Sequence, residues 1–197
     1  MLLAVLLGVC GFFRLDRVAG FYFSDKKEGD VLFQSLPRAD LVDAIETISE
    51  SEWSHCGILF REDGKWMVAE ALGHVRYTPL HLWVVRGRWS RVVSYRYTGF
   101  EENMVARLKK QTDAMMGRSY DFSYAPGDDE IYCSELVEKS YSRAHSIKLG
   151  KWQLLRDLNW QPKEAFIREM ENGALPLERL MVTPVSLTKD PQLVRVY

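Results

Sequence analysis

Apolar positions along the chain fall into short β-type runs and a few stripes at helical spacing. Val31, Leu32 and Phe33 follow a turn signal at Gly29 and Asp30 and read as a buried strand. Leu41, Ala44, Ile45 and Ile48 recur at helical spacing, so residues 40–49 are a predicted helix. Residues 55–60 and 65–71 are two further β-type runs, and the Asp63-Gly64 pair between them is a hairpin signal. Residues 75–77 give another short strand. Thr78 and Pro79 then open a helix, with Thr78 as its cap and Leu80, Trp83 and Val84 as its apolar face. Residues 91–97 form a predicted strand. Residues 98–116 form a predicted helix, with Glu101 and Glu102 in its first turn, a stripe of Val105, Leu108, Thr112, Met115 and Met116, and Gly117 as its stop. Residues 118–131 read as loop. The best amphipathic helix is 133–144, where Cys133, Leu136, Val137, Ser140, Tyr141 and Ala144 fall at i, i+3, i+4, i+7, i+8 and i+11. Beyond Gly150 the pattern weakens. Pro162, Pro176, Pro184 and Pro191 there predict a segment that wraps the domain without a core of its own. No repeat or linker intervenes, so residues 21–197 are expected to form one α+β domain.

Composition narrows the classes. Of 197 residues, 47% are hydrophobic and 27% charged, a globular balance with room for a real core. Lys plus Arg is 26 and Asp plus Glu is 27, so the net charge of −1 gives no electrostatic case for nucleic acid. The three cysteines, Cys10, Cys56 and Cys133, are too few for a disulfide framework, and none stands in CxxC spacing. Residues 1–20 form an apolar N-terminal segment. Its run at 1–13 is too short to span a bilayer comfortably but has the length of a signal-peptide core, with Arg14 and Arg17 after it and no basic residue before it. It predicts export or a cell-envelope tether. The alternative is an apolar segment packed on a cytoplasmic protein.

The chemistry candidates are a thiol, an imidazole and a carboxylate. Cys133 heads the strongest helix, where backbone N–H groups and the helix dipole favour thiolate. It also shares the apolar stripe of Leu136 and Val137, which fits an ordinary buried cysteine. The acidic run Asp128, Asp129 and Glu130 would raise its pKa if close. His55 starts one strand and Glu70 lies near the end of the next. A four-residue loop at 61–64 would set His55 directly opposite Glu70. A two-residue Asp63-Gly64 turn would make them diagonal neighbours on one face, and a three-residue loop would separate them. Cys56 points away from the face of His55 and reads as core. His74, His81 and His145 lack ligand spacing, so no metal site is expected.

These residues carry a resemblance. Ser54-His55-Cys56-Gly57-Ile58-Leu59 resembles the His-strand motif of NlpC-type cysteine peptidases. Tyr120-Asp121-Phe122 and Tyr132-Cys133-Ser134-Glu135-Leu136-Val137 resemble their Tyr-loop and Cys-helix motifs. The His strand here precedes the Cys helix, as in the circularly permuted papain-fold branch, and the chain is most similar to the YiiX/YebB-like hydrolases. Residues 29–34 and 75–80 add to the likeness. The resemblance implies a permuted papain-like fold, with an antiparallel sheet or small barrel packed on helices and the cysteine at the start of a core helix. It implies Cys133 as nucleophile, His55 as general base and acid, Glu70 as the polar third member and Tyr120 as an oxyanion donor. Tyr132 is a weaker donor candidate. The implied reaction is cysteine-dependent cleavage of an amide, peptide-like or N-acyl, through a thioester and without cofactor or metal. The substrate class extends to amine-bearing compounds, through the acidic run, and to lipids. An acyltransferase of the same chemistry and a non-catalytic binding module are the alternatives.

Overall fold

Asp63 and Gly64 both take positive φ, 48° and 76°, so the hairpin closes on a two-residue turn. That choice fixes the register of strand β2 (His55–Glu62) against β3 (Lys65–Leu72), pairing Glu62 with Lys65 and Ile58 with Ala69. Of the open registers, this one makes His55 and Glu70 diagonal neighbours on one face. Gly57 lies between them. A Cβ there would come within 2.6 Å of the Ala69 carbonyl and of a Val68 methyl, so only glycine allows the strands to approach this closely.

The computed structural model describes residues 15–125 and 127–197. Around the hairpin a six-stranded antiparallel sheet is built in the order β4-β3-β2-β1-β5-β8. Its further strands are β1 (Val31–Gln34), β4 (His74–Pro79), β5 (Val93–Tyr97) and β8 (Leu193–Arg195). Strand side chains alternate, so the sheet has two apolar faces. Cys56, Ile58 and Phe60 point to one, where they meet Leu136, Val137 and Tyr141 of α5 (Cys133–His145). Leu32, Leu59 and Val68 point to the other and meet Leu80, Trp83 and Val84 of α3 (Leu80–Arg86), with Phe21 of α1 (Leu15–Tyr22). Full burial of each such side chain contributes about 1.5–3 kcal/mol. Helices therefore pack on an antiparallel sheet, the α+β class expected.

Several local expectations are corrected. Thr78 does not cap α3. Strand β4 runs through Pro79, and the Thr78 hydroxyl instead donates to Glu70 Oε1 at 2.6 Å. The helix expected at 98–116 starts later, as a 3₁₀ turn at Glu102–Met104 followed by α4 (Val105–Asp113). Its stripe survives, because Leu108, Thr112 and Met115 are buried. The strand expected from residue 91 begins at Val93, after a 3₁₀ turn at Arg88–Ser90. The loop 118–131 is tied down: Tyr120 N–H donates to Gly73 O, and Ile131 N–H to Ser119 O. The C-terminal segment adds β8 to the main sheet. It also forms a small sheet of β6 (Trp152–Leu154) and β7 (Leu180–Val182), and the helices α6 (Glu164–Met170) and α7 (Pro184–Thr188). Val182, Leu187 and Leu193 join the main core, so the segment has no separate one. On the other side of β1, α2 (Asp40–Ile48) fills the stretch before β2. Among the described residues no helix is long and apolar enough to cross a membrane. The apolar run at 1–13 lies outside the described residues.

Candidate active site

Tyr132 holds extended backbone, φ −98° and ψ 169°, and the helix turns at Cys133, which is its first residue. The Glu135 carboxylate accepts the Tyr132 N–H at 3.4 Å, the reciprocal arm of a capping box. Cys133 is thus held at the positive end of a 13-residue helix. His55 is the first residue of β2. It belongs to the α3 face of the sheet, with its ring 6.1 Å from that of Trp83, whereas Cys133 comes from the opposite layer. The two meet because each begins its element, where side chains from both layers converge past the sheet's end.

The imidazole is held from behind. His55 Nε2 lies 2.6 Å from Glu70 Oε2, which leaves Nδ1 for the thiol proton. Glu70 is fully buried, and its oxygens are saturated. Arg86 grips it with both terminal nitrogens, Nη1 at 2.9 Å from Oε1, while Thr78 donates to Oε1 and Arg76 Nε lies 3.7 Å away. Burial alone would raise this carboxyl's pKa, but His55 and Arg86 hold it well below the usual carboxylate range. Burial alone would lower the His55 pKa. Hydrogen bonding to Cys133 and Glu70 overrides it, and the imidazole is pushed up to about 9. The Cys133 thiol is drawn well below its ordinary value by hydrogen bonding from Cys56 and then, against burial, by His55. Both shifts favour the thiolate–imidazolium form of the pair.

Tyr120 is buried, and its phenol feels the charge of Cys133. Its hydroxyl shares a hydrogen bond with that of Tyr124 at 3.1 Å, and its ring packs 4.9 Å from Phe122. The hydroxyl of Tyr132, the weaker donor candidate, accepts the Val182 N–H at 3.0 Å. The condition set on the acidic run is not met. Asp128 pairs with Lys139 and Arg143 on the surface, and the thiol's pKa falls where proximity to free acid would have raised it. Cys56 is buried in the core as expected, and it also supports the Cys133 sulfur. His145 is satisfied by the Met104 carbonyl at 3.0 Å.

The parts of Arg86, Thr78 and Tyr124 in the site were missed in the sequence: Thr78 reads as a helix cap, and Arg86 reaches Glu70 from a helix sixteen residues on. Arg76 had a signal. Gly73, at φ 71°, makes the β3–β4 turn, and pairing outward from it sets Arg76 opposite Glu70.

Comparison with known proteins shows the family and the fold. A family model described as permuted papain-like amidase enzyme, YaeF/YiiX, C92 family, matches residues 25–197. The uncharacterized protein YiiX of Escherichia coli (strain K12) is 34% identical over 171 residues, covering 85% of this chain and 84% of that protein. The crystal structure of metalloprotein yiiX from Escherichia coli O157:H7 aligns with a TM-score of 0.83 at 33% identity, over 87% of this chain and 96% of that one. That relative is called a metalloprotein. Among the described residues here, no group of three or more His, Cys, Asp or Glu side chains is arranged to hold a metal ion, so the donor set does not fit a metal centre. The chain belongs to the permuted papain-like amidase family, and membership explains why its His strand comes before its Cys helix.

Proposed function

We propose that the protein is a cysteine-dependent hydrolase that cleaves an amide through a thioester acyl-enzyme. One observation carries this reading: a helix-start thiol, an imidazole and a fully buried, cation-held carboxylate stand in line. The Cys133 thiolate attacks the carbonyl carbon and forms the C–S bond. As the C–N bond breaks, His55 gives its proton to the departing amine. Neutral His55 then takes a proton from water, whose oxygen displaces sulfur and releases the acid. Glu70 keeps Nε2 protonated throughout and favours imidazolium. The family's amidase character and the two pKa shifts support hydrolysis over a non-catalytic module. The apolar run at 1–13 supports placing this chemistry in the cell envelope.

Two limbs follow for the pH profile of kcat/KM. Below the depressed thiol pKa the sulfur is protonated and attack stops. Above about 9, His55 lacks the proton that the leaving amine needs, and cleavage falls again. Alkylation of Cys133 by iodoacetamide, mapped by peptide mass, should share the acid limb and show no decline on the alkaline side. An alkylation limb at the free-thiol value of roughly 8.5 would remove the proposal. Product analysis with an added amine separates hydrolase from acyltransferase.

The Tyr120 hydroxyl and the Cys133 backbone N–H are the proposed oxyanion donors. Tyr120→Phe is expected to lower kcat by about 10²–10³-fold with KM little changed. An unchanged kcat would take Tyr120 out of the reaction.

A further inference from the structure

Helices α1 and α3 pack together on the face of the sheet opposite α5. Phe21 of α1 and Leu80, Trp83 and Val84 of α3 share one buried cluster with Leu32, Leu59 and Val68 of the strands. Their inward sides are therefore taken, and their outward sides look away from the sheet together. That outward face is apolar. Leu82 and Val85 stand exposed at i and i+3 on α3, and Trp89 follows in the next turn of chain. Tyr22 ends α1 and is exposed, and Phe23 after it is 85% exposed. Of the nine large apolar side chains exposed among the described residues, these are five. Arg17 links α1 to the turn after α3, with Nη1 3.5 Å from Trp89 O.

Trp89 is the least expected of the five. It is 63% exposed and holds φ 58° and ψ 21°, the left-handed region that favours glycine or asparagine. An indole held there in water gains little from packing. In a layer of lipid headgroups its ring is buried while its N–H still finds a partner.

The charges around the face suit an anionic surface. Residues 14–23 and 80–91 together hold five arginines against one acid, Asp16. A hollow beside Ser90 is lined by Arg17, Arg91 and Arg195, and Lys26 Nζ stands 2.6 Å from Tyr22 O at the end of α1. The neighbouring carboxylates are already paired, Asp25 with Arg96, Glu46 with Arg88 and Glu52 with Arg91. The sequence ahead of α1 points to the occupant. Residues 1–13 are apolar, and only Arg14 separates them from α1. A surface that takes up this run receives α1 with it. The run is too short to span a bilayer comfortably, and a single short anchor binds reversibly, so a second contact adds directly to the hold.

We propose that the outward face of α1 and α3 docks on a lipid surface carrying anionic headgroups. Phe23, Leu82 and Trp89 enter the boundary between headgroups and acyl chains, and Arg17 and Lys26 meet the phosphates. Docking needs no catalytic step and stands whether or not the protein cleaves amides.

The test sediments the full chain with vesicles of phosphatidylcholine alone and of phosphatidylcholine with about 30% phosphatidylglycerol. We expect binding to the anionic vesicles to be tighter by roughly fivefold or more, to weaken with added salt, and to shift tryptophan emission to the blue. Phe23→Glu and Trp89→Asn should each weaken it by about tenfold, and Trp89→Asn should lose most of the blue shift. Both side chains are exposed and asparagine accepts left-handed backbone, so Tm stays as in the wild type. Binding that survives both variants places the hold in residues 1–13 alone and overturns the proposal. So does equal binding to the two kinds of vesicle, or binding to neither. Self-association that both variants abolish, without vesicle binding, makes the face a contact between copies of the chain and overturns it as well.

Discussion

Cys133→Ala protein is expected to fold normally and to lose amide cleavage by about 10⁴-fold or more in kcat/KM. The loss is this large because sulfur, imidazole and carboxylate act as one unit. Without the nucleophile the remaining groups orient an amide but have no covalent path for it. Folding survives because alanine fits wherever cysteine does and Leu136, Val137 and Ile58 still fill the layer around it. The variant also tests the electrostatics. His55 owes part of its raised pKa to Cys133, so removing the sulfur should bring the imidazole down from about 9. Progress curves on an amide probe, with the histidine titration followed by NMR, check both statements. A variant that keeps a tenth of the wild-type rate would mean that the nucleophile lies elsewhere.

How much of this the sequence showed depends on the range of each interaction. The hairpin was legible because Asp63 and Gly64 are local turn chemistry, and the Cys helix because its stripe repeats over three turns. The closeness of His55 to Glu70 stayed open until the turn length was known, since a shift of one residue would have sent them to opposite faces. Thr78 misled because a hydroxyl before a proline is a good cap in isolation. Here a buried carboxylate eight residues back competes for it and wins. The C-terminal segment was the least legible part of the fold, because α6 and β7 are short pieces of a stretch rich in turn signals and too brief to show a period.

Glu70→Gln is expected to lower kcat/KM by about 10²–10³-fold, more than a loss of charge alone would cause, because the amide cannot serve both neighbours. Glu70 accepts from His55 on one oxygen and from Arg86 on both. Glutamine offers one oxygen and one NH₂. If the oxygen faces His55, the NH₂ is driven against the guanidinium of Arg86. If the oxygen faces Arg86, the NH₂ donates to Nε2 and forces the proton onto Nδ1, where it can no longer accept from the thiol. Either way imidazolium loses its counter-charge, so the alkaline limb of the pH profile should move down from about 9. Glu70→Ala removes the conflict but leaves Arg86 and His55 buried without their anion, a loss of about 3–5 kcal/mol in folding stability. For a chain of this size that lowers Tm by roughly 10 °C. Because the folded-state pKa of Glu70 is depressed, its stabilisation is present above the free carboxylate range and disappears as pH falls toward the folded value. The wild-type and Glu70→Ala melting curves should therefore converge in strong acid and stand furthest apart near neutrality. A Glu70→Gln enzyme with an unmoved alkaline limb would show that the carboxylate does not set the protonation state of His55.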